Sequence, residues 1–472
     1  MECKGVLALI GGILLHLTLG AVYSFGNMTV YVTSYLRFKT VSTEMNYHKS
    51  VFLYGITQMC IDLTGFLGGM VERRFGARLA ALVGGWTMSL GVGLTYYSIK
   101  GGFGTCLITY GIVMGLGAGI AYPIPMSITM RWFPNHRGLV AGIVLAAFGG
   151  GAAVFDQLQT FYINPNNLKP DRAEYFHNTE VDYFSQDEVL DRVPHSFLFL
   201  AVAFAVLQGL GTLLLCSPVS DSEMFAVVPT LTRSVVDSCT YRSTNTDYEA
   251  SGRTDDSTDS LMPGPKLYRV THSGTNLSFL EESAETFKVS TLLCDRWFWV
   301  LWFMYFLNGE CTLHASLYKV YGQTFIKDDQ FLALCGSLAA LFNAGGRIFW
   351  GIIVDQFSFR TTILVLDVAV IALSLTMPAT EYGGKYMFLI WNCLLFGAYS
   401  GIYSLYPVAI VRGYGVAELS LKYGLLFSSQ VLNDPFAATL AAEIFVNTPW
   451  YTLYGTVAGC TFLGKYYMSF LF

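Results

Sequence analysis

Runs of apolar residues long enough to cross a bilayer recur along the whole chain. A helix needs about 20 such residues to span the hydrocarbon core. Runs of that kind lie near 5–35, 50–70, 77–98, 103–130, 138–161, 196–216, 296–320, 331–354, 361–380, 385–411, 418–446 and 449–472. The pattern predicts an all-α membrane protein with twelve transmembrane helices, because only a helix satisfies its own backbone inside lipid when no closed barrel is in prospect. The runs fall six and six about a hydrophilic stretch rich in Ser, Thr and Asp, typified by Ser251 to Ser260. This predicts an N-terminal six-helix half over 1–216, a disordered cytoplasmic linker over 217–290 and a C-terminal six-helix half over 291–472. A second polar insert, Asn164 to Pro194, carries Asp171, Glu174, Glu180, Asp182, Asp187, Glu188 and Asp191 and reads as a loop on the opposite face.

Charge orients these spans. With both termini on one side, the clusters Arg73-Arg74-Phe75-Gly76-Ala77-Arg78 and Arg131 to Arg137 share that side with the linker, which the positive-inside rule assigns to the cytoplasm. The first apolar run, after Lys4, continues through Ala21 to Phe25 for a full membrane width, so it reads as a span and not a cleaved leader. Composition agrees: 53% of the 472 residues are hydrophobic and 13% charged, so lipid is the solvent for most of the surface. A net charge of -5 with no basic stripe excludes nucleic acid as a partner. The cysteines are scattered through apolar runs without a CxxC or metal-ligand spacing and read as small buried hydrophobes, so no metal or other cofactor is expected. No GxxxxGK[ST] element appears, which argues against an ATP-driven pump. No Ser/His/Asp or Cys/His cluster converges either, so the chain does not read as an enzyme and no catalytic residue is assigned. Glycines inside the spans, among them Gly142 and Gly149-Gly150-Gly151, suit close helix contacts or a hinge.

Several segments narrow the picture. Gly346-Arg347 and Gly351 to Asp355 precede Arg360 at one helix junction, and Gly69 to Arg78 forms a related basic turn in the first half. Both resemble the repeated loop of the major facilitator superfamily, in which an acid and arginines latch helix ends together. Arg73 stands where the first-half aspartate is expected, with Glu72 one place before it, and Ser358 replaces the second glycine. Gly20-Ala-Val-Tyr23-Ser-Phe25, Gly117 to Tyr122, Arg131-Trp-Phe-Pro134, Trp297 to Trp302, Leu341 to Arg347 and Tyr423-Gly424 together resemble the oxalate:formate antiporter family, a relative of the monocarboxylate transporters. The likeness covers nearly all the spans and fails over the linker and the polar insert.

That resemblance implies a major facilitator fold with an anion site between the halves, built from aromatic residues and two cations. The arginine falls on Arg347. The family's lysine falls on Gln430, and the monocarboxylate transporters' lysine and helix-8 acid fall on Asn27 and Asn343. One fixed cation suits one carboxylate, so pyruvate-, lactate- or formate-like monoanions are favoured over oxalate. The competing role for Arg347 is a structural ion pair with Asp355. Tyr399 and Tyr403 lie one turn apart and match the family's cage aromatics, with Tyr23, Tyr122 and Phe148 as further candidates; packing alone is the alternative. Asp434, Glu310, His314 and Asp62 are the proton-coupling candidates, because an acid or base within a span is functional by default. Asp434 precedes Pro435, which suggests a local helix break with Asp434 as a cap, and Glu310 with His314 reads equally as a hydrated structural pair. The expected function is secondary active transport of a small organic monocarboxylate by alternating access, with protons as the candidate coupling ion. The alternatives are oxalate:formate-type exchange and a non-transporting anion receptor on the same fold. The expected location is multi-pass in a lipid bilayer, the plasma membrane or else an organelle membrane.

Overall fold

The computed structural model describes residues 2–40, 45, 47–166, 168–176, 179–218, 289–309, 314, 317–318, 321–322, 324–326, 328–447 and 450–471. From 219 to 288 the expected linker lies outside them, as does Glu310. The first apolar run is one helical column: α1 (Glu2–Leu19), a 3-10 turn (Gly20–Ser24) and α2 (Phe25–Lys39). There follow α3 (Tyr47–Phe75), α4 (Ala77–Ser98) and a second column, in which α5 (Phe103–Cys106), a π-helical stretch (Leu107–Val113), α6 (Met114–Ala121) and α7 (Pro123–Trp132) run on from one another. Then come α8 (Arg137–Ile163), α9 (Asp187–Leu190) and α10 (Arg192–Leu214). Beyond the linker lie α11 (Val289–Leu293), α12 (Arg296–Asn308), α13 (Asp329–Gln356), α14 (Phe359–Thr376), α15 (Thr380–Tyr399), α16 (Gly401–Tyr414), α17 (Leu419–Asn447) and α18 (Trp450–Leu471). Among the described residues, seven stretches are long and apolar enough to cross a membrane, from Cys3–Lys39 to Phe359–Tyr414, and the last of these contains a kink at Gly384.

Two local readings need correction. The insert at 164–194 is not all loop: β1 (Arg172–Phe176) and β2 (Thr179–Tyr183) pair antiparallel, with Arg172 opposite Tyr183, and α9 follows. Its acidic composition hid strands that pair only with each other. Nor does Pro435 end a helix, since α17 continues through it to Asn447. In a membrane bundle, neighbouring groups can compensate the one N–H that proline removes.

Helices before the linker pack mainly on one another, as do those after it, and the principal joints between the two sets are α8 against α13 and α3 against α17. Both are made by glycine. A methyl group built on Gly138 would overlap the carbonyl oxygen of Gly351, and one on Gly142 would overlap that of Arg347. One on Gly69 would overlap the backbone of Leu421. Charges reinforce this end. The Asp355 carboxylate accepts the backbone N–H groups of Gly138 and Leu139, each at 2.8 Å, at the start of α8, where the helix dipole favours an anion. Glu72 pairs with Arg131 at 3.2 Å. Ser358, in the place of the second glycine, instead caps α14 by accepting the N–H of Thr361.

Arg73, at the aspartate's expected place, pairs at 3.5 Å with Glu418 just before α17. The latch is thus present with its charges exchanged. Its side chains are 40% and 23% exposed, so the pair is worth about 0.5–1 kcal/mol at most. Arg73→Glu should slow transport and lower thermal stability slightly, whereas Arg73→Glu with Glu418→Arg should recover both. A double variant no better than the single one would show that the pair does not form.

Candidate functional site

Arg347 lies in the second half of α13 and is 1% exposed. Guanidinium stays protonated at any accessible pH, so this is a fixed charge at membrane depth, costing about 2.5–3.5 kcal/mol on insertion scales. Two hydrogen bonds hold it: Nε donates to Asn343 Oδ1 at 3.1 Å, one turn back, and Nη1 donates to the Leu145 carbonyl on α8 at 2.9 Å. Its Cζ stands 4.6 Å from the centre of the Tyr403 ring and 5.9 Å from that of Phe148, where the aromatic faces attract a cation. Among the described residues no carboxylate lies within 4 Å of it. Asp355 is committed to the start of α8, so the structural ion pair is not made.

The other aromatic candidates gather around this cation. Phe148 is met edge-on by Tyr23 at 5.1 Å and by Tyr122 at 5.1 Å between ring centres. Tyr399 and Tyr403, at the end of α15 and in α16, both lie within electrostatic range of Arg347. Tyr122 in turn contacts Phe427 of α17, which contacts Tyr305 of α12. The site is thus a buried guanidinium within an aromatic wall drawn from both sides of the linker.

The two amides at the family's lysine positions are used elsewhere. Gln430 Nε2 donates to the Tyr305 carbonyl at 2.9 Å. Asn27 Nδ2 reaches the Asp156 carbonyl at 3.2 Å and Thr160 Oγ1 at 3.1 Å on α8. Of the proton-coupling candidates, Asp62 is 2% exposed on α3, within electrostatic range of Tyr122 and Tyr423. Asp434 lies on α17, and its side chain is outside the described residues, as is Glu310. His314 is buried: Nε2 donates to Asn392 Oδ1 at 3.0 Å, which leaves Nδ1 to accept from the Tyr454 hydroxyl at 3.3 Å. Both of its ring nitrogens are engaged.

One residue at this site escapes motif reading. His16 of α1 is fully buried, 5.3 Å from the Tyr122 ring and 6.1 Å from Phe148. The usable signal was spacing: His16 and Tyr23 are seven apart, which is two helical turns and one face.

No protein-family model matches the sequence. Apicoplast pyruvate carrier 1 of Toxoplasma gondii is 28% identical, over 93% of this chain and 83% of the relative. The oxalate:formate antiporter of Oxalobacter formigenes is 22% identical, over 84% and 76%. Monocarboxylate transporter 9 of Pongo abelii is 20% identical, over 83% and 79%. Among solved structures, the proton:xylose symporter XylE superposes with a TM-score of 0.60 at 12% identity, covering 98% of this chain and 94% of that one. FucP in its outward conformation gives 0.59 at 13% identity, covering 98% of each. Both are major facilitator transporters, and the fold is theirs.

Proposed function

We propose that this chain, an integral multi-pass membrane protein with the major facilitator fold, is a secondary carrier that moves a small organic monocarboxylate by alternating access. One observation carries the reading: Arg347 is a buried cation with no carboxylate partner among the described residues, walled by Tyr403 and Phe148. A fixed charge in a dry site is costly unless something pairs with it. An anion that arrives, pairs and leaves supplies that partner transiently. A single guanidinium matches one carboxylate bidentately. The relatives named for pyruvate and monocarboxylate carriage support the same class of cargo. Protons are the proposed co-substrate, and the burial of the Asp62 carboxyl group near Tyr122 supports it as a candidate to take one.

Uptake by proteoliposomes of pyruvate, lactate, formate and oxalate, at two pH values, tests the proposal directly. Pyruvate or lactate should compete best, and an inward proton gradient should accelerate them. Saturable binding without any flux would instead make the chain a receptor. A preference for oxalate would favour exchange of the oxalate:formate kind and sink the single-cation argument. Gln430→Lys extends the test: a second cation should raise the preference for dicarboxylates over pyruvate by about tenfold, the worth of one charge-assisted hydrogen bond. An unchanged preference in a variant that transports would remove Gln430 from the site.

A further inference from the structure

We propose that His16 is a specificity residue of this site: its imidazole hydrogen-bonds the oxygen on the carbon next to the substrate carboxylate, so the carrier prefers 2-oxo and 2-hydroxy monocarboxylates to unsubstituted acids. The inference rests on the reading of Arg347 as the carboxylate anchor and adds to it the group that reads the rest of the molecule.

The chain holds two fully buried histidines among its described residues, and they differ. Both ring nitrogens of His314 are engaged. Neither ring nitrogen of His16 has a hydrogen-bond partner of good geometry. The carbonyl of Gly12, one turn back, lies near the ring but not at hydrogen-bonding geometry with either nitrogen. An unpaired polar group so deeply buried is costly, because it has given up its water without a replacement. The exceptions to polar pairing in a core call for an explanation. Position supplies one. His16 lies against Tyr122 and Phe148, the Phe148 ring also faces Arg347, and His16 and Arg347 are within electrostatic range of each other.

The two amides that could make a second contact are occupied. Gln430 is spent on the Tyr305 carbonyl, and Asn27 on α8. A neutral imidazole offers one N–H donor and one bare nitrogen. The donor suits a keto oxygen, and donor and acceptor together suit a hydroxyl, so one residue serves both members of a 2-oxo and 2-hydroxy pair. It gives no fixed cation for a second carboxylate. A site built to hydrogen-bond a substrate oxygen also discriminates strongly against analogues that lack it, because its own polar group is then left unpaired.

The test compares pyruvate, lactate and propionate uptake by proteoliposomes, read as the ratio of transport efficiencies within one preparation, so that expression level cancels. In the wild type, pyruvate and lactate should exceed propionate. In His16→Phe, which keeps an aromatic ring and removes both nitrogens, the pyruvate-to-propionate ratio should fall about three- to tenfold, and His16→Gln should recover part of the loss. Should His16→Phe fail to accumulate, the smaller His16→Ala gives the same comparison. A ratio unmoved by either substitution, or a parallel fall for all three acids, overturns the proposal. Arg347→Lys separates the two levels: it should weaken all three acids together. If it leaves them untouched, the anchor reading is what failed, whatever His16 does.

Discussion

Arg347→Ala should lower monocarboxylate transport by at least about a hundredfold. The side chain supplies the only cation that the described residues place within the aromatic wall of Phe148 and Tyr403. A bidentate charge pair lost from a buried site is worth about 3 kcal/mol, on the order of a hundredfold in affinity. The loss should appear in binding as well as in flux: substrate should raise the melting temperature of the wild type through linkage and should leave that of the variant unmoved. Misfolding would mimic the flux result, because Arg347 also tethers α13 to α8 through the Leu145 carbonyl. Arg347→Lys addresses this. It keeps a charge at this depth but cannot pair bidentately, so it should insert and retain residual transport with an affinity weakened about tenfold. Full activity in either variant would place the anion elsewhere.

The legible and illegible parts of this chain divide by the range of the interactions involved. The helices follow from local apolar runs, since lipid leaves the backbone no alternative to hydrogen-bonding itself. Arg347 was conspicuous because a charge within an apolar run is expensive. Tyr23, Tyr122 and Tyr403 were recognisable as candidates, but only the packing shows that Phe148 gathers Tyr23 and Tyr122 on one ring. What the sequence concealed depends on partners far along the chain. Arg73 looked like a lost acid until Glu418 appeared opposite it. Gln430 and Asn27 looked like vacant cation positions, whereas both hold backbone carbonyls of neighbouring helices. His16 lacked any motif; its significance is an absence of partners, which no local pattern encodes.

Gly142→Leu should abolish net uptake while leaving the protein inserted and able to bind substrate. Gly142 faces the carbonyl of Arg347, and any side chain there would collide with backbone and not with a movable group. The joint between α8 and α13 therefore cannot close in the variant as it closes here, with Gly138 against Gly351 and Asp355 on the N–H groups of Gly138 and Leu139. A carrier that alternates must close each end in turn. One end barred from closing leaves a bundle held open to the side of Arg73 and Arg137, and turnover should fall about a hundredfold, which corresponds to a closed state raised by about 3 kcal/mol. Accessibility reads this without any flux. Val354 is fully buried against Gly138, so Val354→Cys, in a background with the native cysteines replaced by serine, should resist a membrane-impermeant thiol reagent applied from that side. Adding Gly142→Leu should make it react rapidly. Continued protection of that cysteine together with lost transport would mean that the glycine serves assembly, and that the opening of the carrier does not pass through this joint.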